Sequence, residues 1–254
     1  MMKPLQGVQA MIFAAGLGSR LKPMTEVMPK ALVEIQGMCL LEYAIRKLKF
    51  YGISDIIINV HHFSEQIIDF VRTHDFGVNI SISDESEQLM DTGGGLLKAK
   101  DFFNTKKPFF VVNVDVISSI DLVQMYENHC AHNALATLAV SRRKTSRYLL
   151  FDTDEQLCGW ENCSTHERIF SRPKDYCCLH QQAFSGMQIL SPNIFEHVTE
   201  HGAFPIIDMY VRLAQTQTIH AFDHSNDFWI DVGKSDTLQE ITESLKAQKF
   251  DFLT

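Results

Sequence analysis

The densest chemistry in this chain lies in one stretch, Phe13-Ala14-Ala15-Gly16-Leu17-Gly18-Ser19-Arg20-Leu21-Lys22-Pro23-Met24-Thr25-Glu26-Val27-Met28-Pro29-Lys30-Ala31-Leu32. Small residues at Ala14, Ala15, Gly16 and Gly18, with Ser19 beside them, let main-chain N–H groups approach phosphate oxygens closely. Arg20 offers a planar fork of donors and Lys30 a compact point charge, so the two can grip different oxygens of a nucleoside triphosphate. The glycines alone fit a tight turn equally well. Leu21 breaks the spacing of a dinucleotide-binding loop, and no lysine follows either glycine as a Walker loop requires.

Two carboxylates stand further along. Asp115 follows the apolar run 109–113, and Asp231 lies in Phe228-Trp229-Ile230-Asp231-Val232-Gly233. A single Asp at a strand end is more often a loop cap, but two hard oxygen donors and a triphosphate make a suitable set for Mg²⁺. In Asp91-Thr92-Gly93-Gly94-Gly95-Leu96, three glycines are expensive for a helix; close backbone approach to a flat ligand such as a nucleobase is the functional reading, and a hinge is the alternative. Arg147 and Lys234 are candidate cations for a second phosphate or solvated surface charges. The pairs His61-His62 and His129/His132 have no matching metal-ligand spacing around them and read as satisfied or exposed histidines.

These groups need a scaffold. A length of 254 residues, 45% hydrophobic and 21% charged, fits one α/β domain spanning 1–254, with a nucleotide-binding half over about 8–133 and an acceptor-binding half over about 134–254. A formal charge of −8 offers no broad basic surface, which argues against nucleic acid as a partner. The six cysteines form no CxxC pair, so reduced thiols and a cytoplasmic location are expected. The start lacks the apolar core of a signal peptide, and no run is long enough to span a bilayer, so no membrane partner is expected. Oligomeric state is open, with a homodimer among the options.

From residue 9 short apolar runs alternate with helical periodicity, the pattern of crossover units feeding a mainly parallel sheet. Strands are predicted at 9–14, 55–60, 78–83 and 109–113. Helices are predicted around Leu40 to Leu48, closed by Gly52, and at 63–71 and 93–102. Beyond residue 134 the strand readings at 134–141, 148–152 and 184–190 are joined by longer polar stretches, which suggests a partly antiparallel lobe. Helical patterns follow at 205–215 and from Ser235, an N-cap candidate.

The opening string resembles the signature LAAGxGxRLxPxTxxxPKxL of sugar-1-phosphate nucleotidyltransferases, with Phe13 for the usual Leu or Ile. The resemblance continues downstream. Asn113-Val114-Asp115-Val116 is similar to the family's N-G-D-V/T, Val114 departing from Gly, and Trp229-Ile230-Asp231-Val232-Gly233 is similar to W-x-D-[VI]-G. It implies a Rossmann-like mixed, mainly parallel sheet flanked by helices. Asp115 and Asp231 would be ligands of Mg²⁺, and Arg20 and Lys30 would contact the nucleotide phosphates. Asp91, Thr92, Gly93 and Gly94 would lie against the base, and Asn113 in the nucleotide site. Phe184-Ser185-Gly186-Met187 resembles the F-[ST]-G-[IV] strand, whose neighbourhood meets the sugar phosphate. The implied partners are an NTP and a sugar 1-phosphate. The triple glycine is most similar to the N-acetylmuramate 1-phosphate uridylyltransferase branch, so UTP with that acceptor is the first expectation. GTP with mannose or heptose 1-phosphate comes second, then CTP with phosphocholine. A catalytically silent nucleotide-sugar binder is the alternative from another class.

Overall fold

The structure, a computed structural model, describes residues 4–172, 178–233, 238–246, 248 and 250–253. Its first half runs β1 (Gln9–Phe13), β2 (Glu34–Ile35), β3 (Met38–Cys39), α1 (Leu40–Tyr51), β4 (Asp55–Val60), α2 (Ser64–Thr73), β5 (Asn79–Asp84), α3 (Asp91–Lys98), β6 (Phe109–Asn113), β7 (Val116–Ser118) and α4 (Leu122–Ala131). The second half continues with β8 (Ala136–Ser141), β9 (Arg147–Phe151), β10 (Leu157–Asn162), β11 (Glu167–Phe170), β12 (His180–Leu190), α5 (Ile206–Leu213), β13 (Ile219–Asp223), β14 (Trp229–Asp231) and α6 (Leu238–Lys246).

Ten strands share one sheet, ordered β11-β10-β9-β12-β6-β1-β4-β5, with β8 joined to β12 and β13 joined to β8. The strands β6, β1, β4 and β5 pair in parallel, and β12 joins β6 antiparallel. Because β1 is covered on both faces, all five of its residues are buried, as a strand inside an α/β sandwich must be. Alternation still sorts them: Ala10 and Ile12 pack into the core under α1, α2, α4 and α6, and Met11 and Phe13 into the core under α3 and α5. The helix α1 buries Leu40, Leu41, Ala44, Ile45 and Leu48, then ends at Gly52, whose φ of 100° lets its N–H return to Leu48 O.

The directions place the site. Parallel pairing brings the carboxyl ends of β1, β4 and β6 to one edge; β8, antiparallel to β12, ends there too, and β13 ends beside β8. A small ribbon over that edge pairs β14 with β7, setting Asp231 opposite Val116 and Trp229 opposite Ser118.

The sheet differs from the sequence reading in the second lobe, where β10 and β11 had no strand signal. All four residues of β11 are exposed, so no buried face imprints alternation on it. The strand β12 starts at His180, ahead of the expected Phe184, because polar Gln181 and Gln182 pair with β9. The helix α3 begins at Asp91 and contains the glycine run. The cap expected at Ser235 falls outside the described residues.

Candidate active site

A cavity of about 420 Å³ opens at the carboxyl edge. Ala14, Ala15, Gly16, Gly18, Ser19 and Lys30 line it from the β1 loop, Asp91 and Thr92 from the start of α3, and Asn113 and Asp115 from the end of β6. The loop keeps its shape through a few specific contacts. The Ala14 N–H donates to Asn59 Oδ1 at 2.8 Å. Gly18 has φ 62°, and the Thr25 hydroxyl donates to its carbonyl at 2.8 Å. A β-carbon at Gly18 would stand 2.8 Å from Thr25 Cγ2 and 3.0 Å from Lys30 Cβ. Only glycine therefore fits this corner, and the corner brings Lys30 back into the cavity.

Lys30 forms an ion pair with Asp115 Oδ2. Across the β7–β14 ribbon, the Val232 N–H donates to Asp115 O and the Gly233 N–H to Asp231 Oδ1, both at 2.9 Å. A β-carbon on Gly233 would run into Lys30 Nζ and lie 3.2 Å from Asp231 Oδ1. Lys30, Asp115 and Asp231 thus converge on Gly233. Among the described residues no three His, Cys, Asp or Glu side chains gather into a metal cage. Two carboxylates beside this cavity fit a hard divalent cation that takes its other ligands from phosphate oxygens and water. Val114 causes no backbone distortion: it has no left-handed φ, its side chain is buried, and its N–H donates to Phe13 O at 3.1 Å.

Other expected site residues have different surroundings. Gly93 and Gly94 do not line the cavity; they are buried in α3, where a β-carbon would collide with the Phe204 ring at Gly93 and with Gly202 O at Gly94. Their close approach in this structure is to the 202–204 segment, which runs over the helix. Ser185 is fully buried with its hydroxyl against His224 Nε2 at 2.7 Å, so it presents nothing to a ligand. Gly186 does touch the site: its φ is 73° and a β-carbon there would press on Asn113 Nδ2 at 2.8 Å. Arg147 is exposed on β9 and does not line the cavity. Lys234 and the side chain of Arg20 lie outside the described parts.

The sequence reading passed over Asn59 and Glu85. Buried Glu85 accepts from Asn59 Nδ2 at 2.8 Å and from the Met90 N–H at 3.1 Å, so it fixes Asn59 under the loop and the approach to α3 together. The position of Asn59 near the end of β4, matching Asn113 at the end of β6, was the available signal.

An α/β sheet that gathers open loop amides, a lysine and paired carboxylates at one carboxyl edge marks the class of nucleotide-handling proteins. More narrowly, the chain belongs to the nucleotidyl transferase family, whose model matches residues 9–248. This agrees with the sugar-1-phosphate nucleotidyltransferase resemblance of its motifs. It is 27% identical over 234 residues to a mannose-1-phosphate guanyltransferase of Schizosaccharomyces pombe, covering 89% of this chain and 61% of that one. A Saccharomyces cerevisiae protein of the same name is 28% identical over 237 residues, covering 89% and 62%. The chain thus spans about three fifths of the length of these curated relatives. The crystal structure of HddC from Yersinia pseudotuberculosis complexed with GMP-PN shares the fold, with a TM-score of 0.74 at 22% identity over 94% of this chain and 99% of that one.

Proposed function

We propose that this chain joins a nucleoside monophosphate from an NTP to a sugar 1-phosphate and releases pyrophosphate. The observation that carries this reading is the convergence of the glycine loop and the Lys30–Asp115 pair at one cavity, with Asp231 beside it behind Gly233. Asp115 holds Lys30 inside the cavity before nucleotide arrives, so the cation meets the triphosphate without a search for its position. The amides of residues 14–18 and the Arg20 fork take further phosphate oxygens. Asp115 and Asp231 would hold Mg²⁺, which would supply positive charge against the phosphates of the bound nucleotide. The acceptor phosphate is already an anion, so in-line attack on the α-phosphorus needs no strong general base from the protein. Asp91 and Thr92 line the same cavity and are the candidates to meet the base, and Gly186 packs behind Asn113, a candidate for the nucleotide site.

The names of the yeast relatives support GTP and mannose 1-phosphate as substrates. The form of the Asp91–Gly95 segment supports UTP and N-acetylmuramate 1-phosphate. A cytoplasmic enzyme fits the absence, among the described residues, of any helix long and apolar enough to cross a membrane. A pyrophosphate-release screen of the four NTPs against several sugar 1-phosphates and phosphocholine, with and without Mg²⁺, tests the reaction. Asp115→Ala and Asp231→Ala are each expected to lower kcat by about a hundredfold or more, the scale of losing a group that stabilises transition-state charge. Turnover at the original rate in either variant would remove the metal assignment; nucleotide binding with no turnover on any pair would instead favour a silent binder.

A further inference from the structure

A second cleft, of about 450 Å³, lies on the same carboxyl edge beside the ends of β8 and β13, with Arg143, His224 and Trp229 in its wall. Arg143 sits over the Trp229 ring, its guanidinium carbon 4.2 Å from the ring centre, and donates through Nη2 to Phe184 O at 2.6 Å. The Trp229 indole N–H in turn donates to Ser185 O at 2.9 Å, so the stack is anchored on β12 from both members. His224, only 3% exposed, is fixed by Ser185 Oγ through Nε2. Among the described residues, His224 Nδ1 and Arg143 Nε are buried and have no hydrogen-bond partner. Unsatisfied polar atoms of this kind cost stability, and the rest of the Arg143 guanidinium is half-exposed at the cleft wall.

The surrounding charges define the missing partner. Arg142 is already engaged by Asp223 at 3.2 Å, and Asp227 lies across the cleft. Among the described residues lining it, Arg143 is the cation with no carboxylate within ion-pair distance. Burial lowers the Arg143 pKa from its ordinary value, and the nearby Asp231 carboxylate pulls it back up. Trp229 and Asp231 are two residues apart on β14, so their side chains share one face, roughly 7 Å apart along the strand. That separation is about the span of a hexose ring. An acceptor whose 1-phosphate reaches the Asp115–Asp231 side therefore lays its ring toward Arg143.

We propose that the Arg143–Trp229–His224 cleft is an acceptor subsite for a second anionic group, a carboxylate or a phosphate carried on the sugar in addition to its 1-phosphate. The guanidinium fork suits either oxyanion. This subsite rests on the acceptor being a sugar phosphate, as proposed above. The test is calorimetric titration of the full chain with glucose 1-phosphate, glucuronate 1-phosphate and glucose 1,6-bisphosphate. Trp229 emission is followed in a Trp160→Phe background, since the chain has 2 tryptophans. At least one doubly anionic probe should bind about tenfold or more tightly than glucose 1-phosphate, the scale of one charge-assisted pair, and shift the emission. Which probe does so identifies carboxylate or phosphate. In Arg143→Met the doubly-to-singly anionic affinity ratio should fall to about one, and in Arg143→Lys, which keeps charge without the fork, to an intermediate value. Equal affinities in the unmodified chain, or a ratio unchanged in Arg143→Met, would overturn the subsite. A preserved affinity ratio with no pyrophosphate release from any probe would support the subsite and overturn the transfer reaction.

Discussion

Replacing Gly18 by alanine isolates the corner that delivers Lys30 to the cavity. Two costs arise in the folded state. A φ of 62° is left-handed, worth about 1–2 kcal/mol for a residue with a β-carbon. The new methyl would stand 2.8 Å from Thr25 Cγ2, 3.0 Å from Lys30 Cβ and 3.2 Å from Thr25 Cβ. Thr25 is only 3% exposed and tied to Gly18 O, so it cannot swing aside; overpacking of this kind adds about 1–3 kcal/mol. The sum is about 3 kcal/mol of lost stability, read as a lower urea midpoint. Relief through Lys30 moves its ammonium relative to Asp115, and a displacement approaching 1 Å lowers kcat/KM by about a hundredfold in the pyrophosphate-release assay. The companion variant Gly18→Ala/Thr25→Ser removes the nearest methyl and keeps the hydroxyl. It should recover about 1 kcal/mol, a coupling of the size expected for residues in contact. A Gly18→Ala protein with unchanged midpoint and unchanged kcat/KM, or a double variant no better than the single one, would refute the packing argument.

Gly93→Ala and Gly16→Ala should separate two kinds of glycine: the first meets Phe204 and loses about 2–3 kcal/mol of stability, whereas Gly16 has no atom within 4 Å of a β-carbon, so its variant keeps the urea midpoint and loses nucleotide affinity by calorimetry. Burial lowers the pKa of His129 and of His224 to about 4. Below pH 6.5 the unfolded chain binds protons that the folded chain refuses, so stability is lost as pH falls from 6.5 to 4, by up to about 3 kcal/mol for each group; a urea midpoint that stays flat over this window would contradict it. Burial likewise lowers fully buried Lys47 to about 7 while its ammonium donates to Ser118 O and Oγ at 2.8 Å. The unfolded amine holds its proton to higher pH, so the folded state gains stability between pH 7 and the unfolded value; Lys47→Met should lose that rise in thermal scans, and a slope equal to that of the unmodified chain would count against it.

The parts of the site that the sequence disclosed are those whose meaning is local. Residues 14–30 follow one strand directly, and the requirement for open backbone, a fork and a point charge is written in consecutive positions. The place of Asp115 just past the end of a buried strand was legible from the apolar run of β6, and its reading as a metal ligand came from the family resemblance. Asp231 needed the family resemblance, since nothing near it announces that β14 will pair with β7 and bring it to Gly233. The contacts that the sequence did not disclose share one cause. Ser185 turns inward because His224 arrives from the end of β13. Arg143, which the sequence reading passed over, gains its stacking partner only when β14 brings Trp229 to it. The glycine run of α3 is set by Phe204 and Gly202, which lie over the helix from far along the chain. Glycine accordingly has three meanings here: open access at Gly16, a left-handed turn at Gly18 and close protein packing at Gly93. The residue type is the same in each case, and what stands opposite it decides which applies. That opposition is a long-range property of the fold, so a substitution series across the three positions reads out tertiary structure that no local pattern contains.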